Sequence, residues 1–355
     1  MPFPFVVQLD VEPYLDGVRI DSFLRKHFRN YTRYRMHRMV RAGMVRVNGV
    51  QVGIEHKVHV AQQVAIRLVE PPDKLLRAEP IPLKVLYEDA WLLVVVKPAG
   101  QIVHPAGLTQ SGTLCHGIQH HLDQQTPLPG LLRPGIVHRL DRMTSGVMVV
   151  PKEHLSHRLL SIGFQEQQVA KTYLAIVEGV IEKDAGTIDF SIGIRPGEDT
   201  ILMSARPDAR NPRSAETNFE VVERFPAHTL VRAKPLTGRL HQIRVHLATI
   251  GHPVVGDEFY DRDGMIRKSR FDDGFAAGSF SAGNESGLRL GLVTERHALH
   301  ASTLAFTHPI FDEWMEFEAP PADDMAAAIC CLRENRHDRP NLSESASPHR
   351  SLVTK

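Results

Sequence analysis

The spacing of apolar residues changes repeatedly along this 355-residue chain, and each change predicts an element. Between Gly17 and Val69, the run Arg19-Ile-Asp-Ser-Phe-Leu-Arg-Lys-His-Phe and the helical spacing of Met36, Met39 and Val40 predict two short helices. A Val-x-Val alternation then reaches Asn48-Gly49, which predicts a β-hairpin because both residues tolerate positive φ. Val69 to Leu83 is rich in proline and charge, the composition of an extended linker with a domain boundary near residue 75. Ala90 to Val96 is a continuous apolar run, a buried strand, and ends in a Lys97-Pro98-x-Gly100 bend. Leu114, Ile118 and Leu122 predict an amphipathic surface helix. Ile136-Val137 and Val147 to Val150 look like short buried strands, so Asp141 falls on the connection between them. A helix over 153–168 and strands over 171–179, 186–192, 215–224 and 229–234 follow. Leu240, Ile243, Leu247 and Ile250 then form a helical stripe closed by Gly251, with Arg244 beside it.

Composition narrows the class. With 42% hydrophobic residues the chain can bury a large core and more than one domain. Its longest apolar run is far short of the ~20 residues of a membrane helix, and its proline-broken N-terminus lacks the basic region of a secretory signal. Three cysteines give neither a disulfide framework nor a Cys-x-x-Cys knuckle, which fits a reducing cytoplasm. Net charge is only +1, yet nine Lys or Arg lie between Arg19 and Arg46 against the single acid Asp21. That concentration suits a polyanion, and arginine forks suit phosphate. Arg33, Arg35, Arg38 and Arg41, with Tyr31 and Tyr34 among them and no acids to pair with, are therefore candidate RNA contacts.

The candidate chemistry centres on His138-Arg139-Leu140-Asp141-Arg142-Met143-Thr144-Ser145-Gly146, where one carboxylate sits between two arginines before a small polar turn. Taken alone, the stretch is as readily a turn aspartate bonded to nearby amides. His116, His120 and His121 include an i, i+4 pair, but no Glu accompanies them as in a zinc helix, and no metal is expected. No two glycines are separated by one residue, which removes the dinucleotide fingerprint and the kinase phosphate loop.

The pattern His-Arg-Leu-Asp-x-x-Thr-Ser-Gly resembles the signature of the RluA family of RNA pseudouridine synthases. Other pieces of the family pattern occur in order: Lys97-Pro-x-Gly, Lys171-x-Tyr173-x-Ala-x-Val-x-Gly, the run from Leu236 through Arg244 to Gly256-Asp-x-x-Tyr260, and Arg296-His-Ala-Leu-His-Ala. The N-terminal segment, with its closing Val-x-Val-Asn-Gly, is similar to the small RNA-binding domain named after ribosomal protein S-four; Thr32 stands where that domain often has serine.

The resemblance implies an α+β pseudouridine synthase fold with a mixed, mainly antiparallel central sheet, plus a small α/β N-terminal RNA-binding domain. The domains would be 14–70, a linker at 71–84, a catalytic domain at 85–320 with an inserted loop at about 261–295, and a disordered tail at 336–355. It implies isomerisation of uridines in structured RNA without a cofactor, with Asp141 as nucleophile or base and Tyr173 stacked on the target base. Arg244 would pair with the aspartate and keep it ionised, and Arg139 would fill the vacated stack. Large-subunit ribosomal RNA is the favoured substrate and transfer RNA the alternative, as is a non-catalytic RNA-binding assembly factor that keeps the fold. No membrane and no obligate protein partner is implied.

Overall fold

The computed structural model describes residues 5–69, 75–126, 128–197, 202–265 and 296–337. In chain order these form β1 (Phe5–Asp10), α1 (Ile20–His27), α2 (Arg33–Arg41), β2 (Val45–Val47), β3 (Val50–Gln51), β4 (Gln63–Leu68), β5 (Lys84–Glu88), β6 (Leu92–Lys97), α3 (Leu114–Asp123), β7 (Ser145–Pro151) and α4 (His154–Gln165). They continue with β8 (Ala170–Glu178), β9 (Ala185–Ile188), β10 (Ile192–Ile194), β11 (Met203–Ser204), β12 (Arg210–Arg213), β13 (Thr217–Arg224), β14 (His228–Pro235), α5 (Gln242–Thr249), β15 (Leu299–Thr307), β16 (Trp314–Glu318) and α6 (Asp323–His337). Two compact units divide the chain: 1–173 with 300–320, and 174–299 with 321–355.

In the first unit, α1 and α2 are joined by a four-stranded antiparallel sheet in the order β1-β4-β2-β3. Asn48 and Gly49 form the predicted hairpin turn, with φ of 48° and 80°. The Thr32 side chain caps α2 by accepting from the Arg35 amide. Ile20, Phe23, Leu24, Met36, Met39 and Val40 bury the inner faces of both helices against Val45, Val64 and Ile66. The same core takes in Leu128 and Leu131 from the segment after α3, so this module is closed from outside its own sequence.

The rest of the unit is a sheet ordered β5-β6-β7-β15, with β16 paired to β15. These pairings are antiparallel except that of β7 with β15, where Ser145 faces His300 and Gly146 faces Ala301 in parallel. Both faces of β6 and β7 are covered. Leu93, Val95, Met148 and Val150 pack with Leu114, Ile118 and Leu122 of α3, while Leu92, Val94, Val147 and Val149 pack with Leu160 of α4. Two-sided burial, at ~1.5–3 kcal/mol per large apolar side chain, is why these strands read as unbroken apolar runs.

Local expectations are corrected here. Ile136-Val137 form no strand: the pair lies in irregular chain after Gly135, whose amide bonds to Pro151, and Ile136 and Val137 instead pack into different clusters. Helix α3 is not a surface helix, because Leu114 to Gln119 are all buried, and His116 is consumed in a capping box with Thr113. Helix α4 begins at His154, with Glu153 as its cap. Residues 186–192 are divided between β9 and β10.

The second unit carries the strand order β8-β14-β13-β9, a small sheet ordered β11-β10-β12, and helices α5 and α6. Helix α5 is buried at every residue from Gln242 to Ala248 rather than along one stripe, which places Arg244 in the interior. Gln242 fixes its start by bonding Thr237, Thr217 and the Glu216 carbonyl. The expected insertion lies, from residue 266 on, outside the described residues, as does the expected tail beyond His337.

Candidate active site

Asp141 opens the turn into β7, held from both sides. Its carbonyl accepts the Thr144 amide at 3.1 Å, and the preceding Leu140 is anchored in the core under α3. The next carbonyl, that of Arg142, accepts from the Gly100 amide at 2.9 Å and from the Lys97 ammonium at 3.0 Å. Lys97 is fully buried, and also donates to the carbonyls of Pro98 (2.8 Å) and Gln101 (2.9 Å). The Lys97-Pro-x-Gly bend is thereby stapled to the Asp141 loop, and Arg142 Nε returns a bond to the Gly100 carbonyl.

The far end of the loop is fixed to β15. His300 Nε2 donates to the Ala319 carbonyl at 3.2 Å, so in the neutral ring Nδ1 accepts from Ser145 Oγ at 2.9 Å. Gly146 has φ of 129°, and a side chain there would meet the Ala301 carbonyl at 2.1 Å. This is the physical reason for Ser-Gly at the motif's end. At its start, His138 stacks on Phe164 at 4.7 Å and accepts the Val149 amide at 3.1 Å. Burial, and secondarily the charge of Lys171, push its pKa down to about 3, so the ring is a neutral structural acceptor.

Tyr173 packs on the core cluster that contains Leu140. Burial raises its phenol pKa well above the ordinary value, and the Asp141 carboxylate adds to the rise. The structure thus brings these two predicted residues into one electrostatic neighbourhood, with the phenol kept protonated. Lys171, two residues earlier, is pushed down to about 8 by burial. Arg139 is exposed.

In the second unit, Arg244 is gripped by Asp257, a residue that sequence reasoning did not single out. Nε donates to Oδ2 at 2.7 Å and Nη2 to Oδ1 at 2.8 Å, with 2% and 0% of the side chains exposed. Asp257 Oδ1 also accepts the amides of Phe259 and Tyr260, and both rings lie about 5 Å from the guanidinium. Burial alone would raise the Asp257 pKa, but Arg244 outweighs it and holds the carboxyl far below its usual range. The signal was present in Gly256-Asp-x-x-Tyr260, whose aspartate and tyrosine prove to be the mount of the buried arginine.

On α2, Arg33, Arg38 and Arg41 are exposed and Arg35 is partly buried; Tyr34 is 77% exposed, whereas Tyr31 is core. The expectation that no acid serves this cluster is corrected by Asp21, which pairs with His37 at 2.9 Å and Arg19 at 3.1 Å and lies 3.8 Å from Arg33. Distance in sequence hid the pairing.

Residues 91–249 match the family described as RNA pseudouridylate synthase. Over 317 residues, 89% of this chain and 95% of the relative, the sequence is 38% identical to the RNA pseudouridine synthase YlyB of Bacillus subtilis (strain 168). The chain belongs to the RluA-type family of RNA pseudouridine synthases. It therefore isomerises uridine to pseudouridine in RNA. It is also 35% identical, over 93% of its length and 89% of the relative's, to ribosomal large subunit pseudouridine synthase D of Nitrosomonas europaea. Among solved structures, human RNA pseudouridylate synthase domain containing 4 superimposes with a TM-score of 0.51 at 26% identity, covering 70% of this chain and 93% of that one. The α+β fold with a mainly antiparallel sheet is that of the family.

Two outcomes are expected. Asp257→Asn leaves a buried guanidinium without its counter-charge, so unfolding stability should fall by about 3–5 kcal/mol and turnover should fall with it; denaturant melts unchanged from wild type would show that the pair holds nothing. Acid should destabilise the chain earlier than carboxylates alone would. His138 and His154 are both pushed down to about 3, mainly by burial, so between their ordinary pKa near 6.5 and about 3 the unfolded chain binds more protons than the folded one. Stability is lost as pH falls through that window. The thermal midpoint should drop from pH 7 to pH 5, and less so in His138→Gln; a flat midpoint would contradict buried neutral rings.

Proposed function

We propose that the RNA is large-subunit ribosomal RNA, that residues 14–70 are an RNA-binding domain of the ribosomal S-four type, and that the enzyme works in the cytoplasm. The substrate reading, and with it the cytoplasmic one, is supported by relatives named ribosomal large subunit pseudouridine synthase D. The domain reading is supported by the two helices, the Asn48-Gly49 hairpin and the exposed arginines of α2. Transfer RNA is the alternative substrate.

What supports the catalytic assignment is that Tyr173 packs on the buried cluster containing Leu140, the residue before Asp141, where its phenol feels the Asp141 charge. Asp141 acts as nucleophile or base on a uridine taken out of its stack, which is where an enzyme must hold a base to work on it. Tyr173, kept neutral, stacks on that base. Arg139, exposed beside the loop, fills the vacated stack, and Arg244 supplies the positive charge that keeps Asp141 ionised. The reaction moves a glycosidic bond from nitrogen to carbon of the same base and needs neither oxidant nor phosphate donor.

Asp141→Asn preserves shape and removes charge, so folding and RNA binding should persist while tritium release from labelled ribosomal RNA disappears. Turnover near wild type would remove Asp141 from the mechanism. Pseudouridine mapping of ribosomal and transfer RNA from a deletion strain identifies the substrate; loss confined to transfer RNA would overturn the ribosomal assignment. Replacing Arg33, Arg35, Arg38 and Arg41 by Gln should weaken RNA binding and flatten its dependence on log salt by roughly 0.7–0.9 per lost phosphate contact. An unchanged slope would make α2 an ordinary solvated face.

A further inference from the structure

A second charged feature lies where the N-terminal module meets the segment that leads into the Asp141 loop. Leu128 and Leu131 enter the module's core, the buried Asn30 amide donates to the Gly130 carbonyl at 2.6 Å, and Arg133 Nη1 donates to Asn30 Oδ1 at 3.4 Å. Tyr14 is hydrogen-bonded to His154 at the start of α4, and the Arg158 guanidinium lies 4.7 Å over the Tyr14 ring. Around this seam opens a cleft of about 40 Å³ whose charged lining is Lys26, Arg29, Arg133, Lys152 and Glu153.

The two charges from α4's entry are already used. Lys152 is paired with Glu88 at 2.8 Å, and Glu153 accepts the first amides of α4, Leu155 and Ser156. Among the described residues Lys26, Arg29 and Arg133 form no ion pair; Arg133 is bonded to Asn30, and Glu153 acts on Arg29 only from beyond ion-pair distance. All three cations are exposed at the rim of the cleft; partial desolvation, then repulsion by Arg133, lower the Arg29 pKa against the pull of Glu153, so the two guanidiniums feel each other. Like charges gathered in a concave polar site attract an anion. A cleft of 40 Å³ holds roughly three water-sized groups, since one needs ~10–15 Å³. That is room for the oxygens of one phosphate.

The neighbouring Glu12, His27 and His154 offer the opposite possibility, because their ligand atoms lie within 4.8 Å of one another. Charge decides between them: Lys26, Arg29 and Arg133 outnumber Glu153 in the lining once Lys152 is paired with Glu88, and His154 Nε2 is already bonded to Tyr14.

We propose that this cleft is a subsite for one backbone phosphate of the substrate RNA, held jointly by Arg29 of the N-terminal module and Arg133 of the chain running into the catalytic loop. The proposal rests on the reading that the module binds RNA. Arg133 precedes Asp141 by eight residues, a chain reach of at most ~26–29 Å, so a phosphate held here sets the register of the strand presented to the aspartate.

The test uses the full-length protein and a fixed ribosomal RNA fragment. Binding is measured over a salt series for wild type, Arg29→Gln, Arg133→Gln, the double variant and Arg29→Lys, with thermal melts as a folding control and metal analysis of the wild type. Each single Gln variant should bind about tenfold more weakly at low salt, the worth of one charge-assisted contact, and lose roughly 0.7–0.9 from the salt slope. Because both arginines serve one phosphate, the double variant should flatten the slope no further, and Arg29→Lys should restore most of it. Unchanged affinity and slope in both single variants, while wild type binds and turns over, would overturn the subsite and leave the wider reading intact. One zinc per chain, lost in His27→Ala, would overturn it in favour of a cation site. Failure of wild type to bind the RNA would instead remove the reading beneath it.

Discussion

An ammonium group taken wholly out of water must be surrounded by acceptors, because an uncompensated buried charge costs several kcal/mol. Lys97 meets that condition with the carbonyls of Pro98, Gln101 and Arg142. Those acceptors belong to two separate loops, so satisfying the charge fixes the loops to each other. The residue after Asp141 is thereby tied to the bend after β6, and Ser145 and Gly146 tie the loop's other end to β15. A loop held at both ends in this way fixes the side chain it carries, since side-chain placement is inherited from the backbone beneath it.

The same economy appears at Arg244. Its guanidinium is oriented by Asp257, and Asp257 in turn is oriented by the amides of Phe259 and Tyr260. The two buried charges, one ammonium and one guanidinium, are each held by acceptors fixed in turn by the backbone around them. Rigid apolar strands buried on both faces supply the frame.

Much of this was legible in the sequence because it is local. The Asn48-Gly49 turn, the apolar strand before Lys97 and the polar turn after Asp141 are all specified by residues a few positions apart. What escaped is assembled across distance. Asp21 serves His37 of another helix, Leu128 completes a core some 60 residues upstream of it, and Glu12, His27 and His154 meet from three segments. Periodicity misjudged α3 and α5 for a related reason: a helix covered on several sides carries polar residues such as His116 and Gln242 inward to bond with neighbours, so its pattern resembles that of a solvated surface. Ile136-Val137 look like a strand in composition but lack a partner ladder, which no short window reveals.

The route of the chain through the first unit has a consequence for its biogenesis. Strand β7 is paired with β15, and Ser145 with His300, across 155 residues, while the chain between spends residues 174–299 building the second unit. On the ribosome, where domains form as they emerge, the loop carrying Asp141 is made long before the strand that secures it. Closing so long a segment is slow compared with forming helices and hairpins, and until it closes the edge of β7 is an open template for other strands. A nascent chain of this enzyme thus leaves that edge of β7 open until nearly all of it has been synthesised.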